Sequence, residues 1–167
     1  MLQLDVEIVT RKQMNLVGYS VEASLNDDVL GAIVVGLRKK LAPRVAEIPH
    51  SVDRSMMLVQ VYPDCDWTPD VVYTHIVAIE VDHISAVPEG MIVHVVPEGR
   101  FLRFLHQGDE SSIDATHVAI NEWLDLHDYS DAREFDIERW RTPENLQNAN
   151  NFIEIYVPIA KKGIFTF

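Results

Sequence analysis

Apolar and polar positions alternate at the start of the chain, where Val6, Ile8 and Val9, then Leu16, Val17, Tyr19 and Val21, form two β-rich stretches. They predict a strand or a bent pair of strands, and Gly18 within the second predicts a bulge or a close backbone approach. From the cap-rich run Ser24-Leu25-Asn26-Asp27-Asp28 the period changes. Val29, Leu30, Ile33, Val34, Leu37 and Leu41 recur every three or four residues, with acids in front and Arg38, Lys39 and Lys40 near the end. That spacing predicts a helix stopping before Pro43. Residues 49–54 read as loop, 56–62 as a strand, the Pro- and Asp-rich 63–70 as turn, and 71–81 as a β-branched strand.

After the punctuation VPEG at 87–90 the order begins again. Residues 91–96 and 100–106 flank a second PEG. Ser111 or Ser112 caps a helix with Ile113, Ile120, Trp123, Leu124 and His127 on one side, and strands follow at 134–140 and 152–159. The repeated order predicts an α+β chain of one domain, a duplicated βαββ module with pseudo-repeats at about 4–86 and 90–160. Two helices cannot cover both faces of so many strands. The expectation is therefore two antiparallel sheets, one main helix on each, a partly bare opposite face, and a ligand groove between the modules.

Composition narrows the chemistry. Fourteen Lys and Arg against 26 Asp and Glu give a formal charge of −12, which repels phosphate backbones and anionic lipid, so neither direct nucleic-acid binding nor a membrane surface is expected. The single cysteine, Cys65, forms no internal disulfide, and Asp5 and Glu7 interrupt any apolar leader, so a cytoplasmic location is expected. Neither a GxGxxG nor a GxxxxGK loop occurs, nor a GxSxG elbow. The seven histidines form no HExxH or HxH pairing, so no cofactor and no metal are expected.

Two strands carry candidate chemistry. In 152–159 a period of two puts Ile153, Ile155, Val157 and Ile159 on a face for the helices, and Phe152, Glu154 and Tyr156 on the other. A carboxylate between two aromatic rings suits a lipophilic cation; the bland alternative is a solvated glutamate beside packing aromatics. Glutamine at position 154 is then expected to weaken cation binding and leave stability unchanged or raised. The second strand carries Glu134, Asp136, Glu138 and Trp140 in alternation with Phe135, Ile137 and Arg139. If the two strands pair, Glu134 or Glu138 comes near Glu154, and close carboxylates push one pKa up. An acidic strand resisting aggregation is the alternative. Tyr19 joins the ligand-binding candidates, its facing undetermined like that of Trp67, Tyr62 and Tyr73.

VVYTHIVAIEVD at 71–82, VPEGMIVHVVPEGRFLRFLHQG at 87–108, NEWL at 121–124 and FIEIYVPI at 152–159, taken in order, resemble the GyrI-like proteins, the effector-binding domain of AraC- and BmrR-type bacterial regulators. The resemblance covers most of the chain. It implies the duplicated βαββ fold and a groove that binds amphipathic, often cationic, small molecules through aromatics and a glutamate. On the matching strands it implies Glu154 and Tyr156 as groove residues. EFDIERW resembles an acidic, aromatic family strand that places Glu134 and Glu138 on its acids; Asp136 stands where the family usually has tyrosine, and a shift would hand the acid's role to Asp136.

Family regulators join this domain to a helix-turn-helix DNA reader, for which this sequence shows neither spare length nor a basic face. The leading expectation is a stand-alone multidrug-type binding protein for lipophilic, cationic amphiphiles, with a regulator protein or DNA gyrase as the macromolecular partners the resemblance implies. The alternative is an enzyme, a hydrolase of electrophilic, cyclopropane-bearing genotoxins using Glu154 with Glu134 or Glu138 as acid and base. A short separation between those carboxylates would favour the enzyme.

Overall fold

The period-two stretches form eight strands and the three-to-four-residue stretches form helices. The computed structural model describes residues 4–129 and 134–159. The strands are β1 (Asp5–Arg11), β2 (Met14–Ala23), β3 (Met56–Val61), β4 (Tyr73–Val81), β5 (Ile92–Val96), β6 (Gly99–Gln107), β7 (Phe135–Trp140) and β8 (Phe152–Pro158); the helices are α1 (Leu25–Gly31), α2 (Ile33–Leu41) and α3 (Ile113–Leu126). All strand pairs are antiparallel, in the order β1-β6-β8-β7-β3-β4-β2-β5. The fold is mixed α+β, as the alternation of periods predicts.

The expectation of two sheets is corrected to one. β3 and β7 pair over six register positions, from Met56↔Trp140 to Val61↔Phe135. Two separate sheets would leave both strands as open edges with a row of unbonded N–H and C=O groups, a cost this pairing removes. About that junction the order β2-β4-β3 is mirrored by β6-β8-β7.

The sheet is strongly curled. β1 lies at one end of the strand order and β2 next to the other end, yet only Lys12 and Gln13 connect them, so their ends are within roughly 11 Å. The helix-free face is the inner one, because Arg11 of β1 reaches Glu80 of β4 at 3.9 Å and lies over the Tyr156 ring of β8 at 4.9 Å. This face is not bare, contrary to expectation. It closes on its own small core of Met14, Leu16, Met57, Val59, Ile76, Ala78, Val96, Phe101, Ile137 and Tyr156.

The convex face carries the helices and the larger core. Val34 and Leu41 of α2 and Ile120 and Leu124 of α3 are buried against Val77, Ile79, Phe104, Ile153 and Ile155, with Leu37 and Trp123 packed at the margin. The predicted first helix is broken at Ala32, whose φ of 49° is left-handed. Asp28 carries the break: its carbonyl accepts from Ala32 N–H, and its Oδ1 accepts from Val34 N–H at 2.8 Å, starting a new helix. The break turns α1 outward, so Leu30, expected in the apolar stripe, is 89% exposed. Among the described residues no helix is long and apolar enough to cross a membrane.

Trp123 is half-buried rather than enclosed, edge-on to Phe104 at 5.5 Å and stacked on His127 at 3.9 Å. Trp123→Ala should cost about 2 kcal/mol, below the 3–5 kcal/mol of a fully enclosed ring. Urea denaturation measures this, and a loss near 5 kcal/mol would mean the ring is sealed in the core.

Candidate ligand site

Helix α2 packs on β2 and β4 and α3 on β6, so the centre of the convex face, where β3 meets β7, lies in a seam between helices. Register decides which side chains gather there. Gln60 stands opposite both His75 and Asp136, Leu58 opposite Glu138, and Met56 opposite Trp140. Alternation then puts Gln60, Tyr73, His75, Asp136, Glu138 and Trp140 on one face.

Glu138 is buried. The Trp140 indole Nε1–H donates to its Oε1 at 3.2 Å, and His117 Nε2 of α3 lies 3.4 Å from its Oε2. The Arg38 guanidinium covers the Trp140 ring at 5.1 Å while making a two-bond pair with Glu110 at 2.9 and 3.1 Å. Beside them Tyr62 stacks on Tyr73 with 5.3 Å between centroids, and the Tyr62 hydroxyl donates to Asp136 Oδ2 at 2.8 Å. Behind Tyr73 the buried His75 is held by the Ala23 carbonyl at 3.0 Å and by Gln60 at 3.3 Å.

The local charge is negative. Burial, followed by the fields of Asp28, Asp136, Asp114 and Glu138, pushes the Tyr73 phenol up to about 12. Four carboxylates from α1, β7 and α3 therefore act on one aromatic position, an arrangement suited to a positive charge. Among the described residues no group of three His, Cys, Asp or Glu could hold a metal ion.

The structure divides the sequence candidates between the two faces. Glu138 and Trp140 lie in the seam. Glu134 precedes β7 on the same alternation and is exposed, while Ala132 and Arg133 of that acidic cluster lie outside the described residues. Tyr19 faces the helices too, but its ring is covered by Lys40 at 4.3 Å and its hydroxyl accepts from Arg44. Phe152 is exposed at the start of β8.

Glu154 and Tyr156 face away from the helices, as alternation predicts, but the carboxylate is not available to a cation. Glu154 is 2% exposed and accepts from Arg103 Nε at 2.8 Å, Arg139 Nη1 at 3.4 Å, Arg141 Nε, and the Tyr156 hydroxyl at 2.7 Å. Burial opposes its ionisation, yet the bonds from Arg141, Arg103 and Tyr156 and the charge of Arg103 outweigh it and hold the carboxyl at about 2. The expected approach of Glu138 to Glu154 is also corrected. Glu138 stands opposite Ile155 and Glu154 opposite Arg139, a one-residue offset that puts the two carboxylates on opposite faces of the sheet.

Sequence reasoning left the facing of Tyr73 and Tyr62 undetermined and missed Asp28, Asp114 and His117 as site residues. Alternation could have placed Tyr73 with His75, and helical spacing Asp114 with His117, but no local signal says that these pairs face each other.

The model of the integron-associated effector-binding proteins matches residues 7–159. Among curated proteins none matches the sequence. Among solved structures, SAV2435 bound to tetraphenylphosphonium superposes with a TM-score of 0.71 at 11% identity, over 93% of this chain and 94% of that one. The C-terminal domain of EcmrR gives 0.69 at 11%, over 96% and 99%. In an EcmrR–DNA complex the chain spans only 58% of the regulator. A Listeria innocua hydrolase gives 0.57 at 10%, over 93% and 91%. At these identities the solved structures establish a shared fold. The family match, over nearly the whole described chain, agrees with the resemblance read from the sequence motifs: the chain belongs to the integron-associated effector-binding protein family.

Proposed function

We propose that the chain binds a lipophilic, cationic small molecule in the seam between its helices, with Glu138, Asp136, Asp28 and Asp114 as countercharge and Tyr73, Tyr62 and Trp140 as aromatic walls. The observation that carries this reading is the buried Glu138 carboxylate held by the Trp140 indole, on the same face as Asp136 and the stacked Tyr62 and Tyr73. A desolvated cation gains most where negative charge and π faces coincide, and the buried Glu138 cannot be reached by bulk counter-ions. Family membership and the ligand-bound fold relative fit small-molecule binding. The cation-binding role assigned to Glu154 from the sequence passes to Glu138, since three guanidinium groups already neutralise Glu154.

The hydrolase reading needed two carboxylates within reach of one substrate. Glu154 and Glu138 sit on opposite faces, and Glu134 lies on the Glu138 side, so the arrangement favours binding.

Tetraphenylphosphonium and tetraphenylborate have the same shape and opposite charge, and calorimetric titration with both tests the proposal. The cation should bind saturably and in preference to the borate. Glu138→Gln, which retains an acceptor for Trp140 and removes the charge, should weaken the cation by about 1–3 kcal/mol. Equal affinity of wild type and variant for the cation would overturn the assignment.

A further inference from the structure

On the concave face, at the end of the sheet where β1 runs into β2, the structure has a cleft of about 510 Å³. It is lined by Arg11, Lys12, Arg103, Arg139, Arg141 and Tyr156, with Glu154 at its base and Glu7 on its wall. We propose that this cleft is an anion site that takes the phosphate or carboxylate groups of a small molecule, separate from the seam and on the opposite face of the sheet.

Charge balance supports the assignment. Five cations and two acids line the cleft, an excess of three positive charges. Asp53 pairs with Arg139 at 2.6 Å and Glu80 with Arg11 at 3.9 Å, and counting both still leaves the cleft at +1, in a chain of −12. One carboxylate, Glu154, needs one guanidinium for neutrality and has three. A structural ion pair alone gives no reason to gather the other two against their mutual repulsion.

Hydrogen bonding points the same way. Arg11 Nε and Arg139 Nε are buried and have no hydrogen-bond partner. Arg141 commits its Nε to Glu154, and its Nη groups make no hydrogen bond among the described residues; its side chain is 57% exposed at the mouth. Lys12 makes no ion pair among the described residues. Guanidinium groups present N–H donors in pairs that match the oxygens of a phosphate or carboxylate, so an oxyanion at the mouth would accept from the exposed Arg141 Nη groups and offset the excess charge together. Volume sets the class: a cleft of this size accommodates a small molecule rather than a polymer.

The test is calorimetric titration of the full chain with inorganic phosphate, pyrophosphate and citrate at constant ionic strength. The expected result is saturable binding of at least one, with phosphate and pyrophosphate against citrate separating phosphate from carboxylate selectivity. Lys12→Ala with Arg141→Ala should lower the affinity at least tenfold, while Lys39→Glu on α2, which makes the same change in net charge, should leave it within twofold. Lys12→Ala alone, at an exposed position, covers the case in which the double variant fails to fold, and should still weaken binding. The proposal is overturned if none of the three anions binds saturably up to ~10 mM, where site-specific affinity gives way to bulk screening. It is equally overturned if Lys39→Glu weakens binding as much as the double variant, or if only a polyanion such as heparin or an oligonucleotide binds.

Discussion

Glu154→Gln should destabilise the fold by about 2–4 kcal/mol, the reverse of the neutral or stabilising effect expected when the glutamate is read as an unpaired acid. The carboxylate bridges guanidinium groups from β6, from β7 and from Arg141 just beyond it, and accepts the Tyr156 hydroxyl. Glutamine removes the negative charge and turns an amide N–H₂ toward cations that remain. Breaking a fully enclosed pair costs about 3–5 kcal/mol; the figure is reduced here because Arg141 is largely in water. The pH dependence identifies the cause. A carboxyl held at about 2 in the fold, against 4.5 ordinarily, contributes stability above its unfolded pKa that is lost as pH falls through the folded value. The gap between wild type and variant should be widest above about pH 5 and close toward pH 2. Other acids held low, such as Asp53 and Glu47, are present in both proteins and cancel in the difference. Urea titrations at pH 7 and pH 3 measure it, and a variant as stable as wild type at pH 7 would rule out the clamp.

Gly18→Ala should cost about 3 kcal/mol, at the upper end of the overpacking range. Gly18 lies in the interior strand β2, opposite Ala78 on one side and Ile92 on the other. A Cβ there would stand 2.2 Å from the Val77 carbonyl oxygen and 2.5 Å from the Ala78 Cα, both backbone atoms of β4. Backbone in a ladder paired on both sides cannot yield without separating the strands. The loss of chain entropy in the unfolded state favours alanine by only about 0.4–1 kcal/mol, too little to reverse the sign. Gly36 on α2 is the control: nothing lies within 4 Å of its added Cβ, so Gly36→Ala should raise stability by about 0.5–1 kcal/mol. Equal effects at the two positions would show that the sheet tolerates the methyl group.

How much was legible depended on the range of the signal. Gly18 is a close approach, as read, because a glycine inside a β pattern is a local mark. The helix break at Ala32 left no trace in the hydrophobic period, since it arises from Asp28 capping Val34 across a turn with ordinary composition. At the candidate site, Glu138 and Trp140 were named by their strand pattern. Asp28, Asp114 and Tyr73 were not, because they come from three other elements that only packing brings within range.

Alternation along a single strand determined the facing of Glu154 and Tyr156, because a period of two is a property of the backbone and needs no partner. The same local rule determined that β8 presents its aliphatic residues to the helices. Tertiary structure decided what those facings mean. The register of β7 against β8 set Arg139 rather than Glu138 beside Glu154, and the curl of the sheet brought Arg11 across to Tyr156. One residue of slip would have exchanged the faces, and slip is resolved only by the summed packing of both cores. An apparent acid for cations thus became the base of a positive cleft, and the acidic seam formed on the other side.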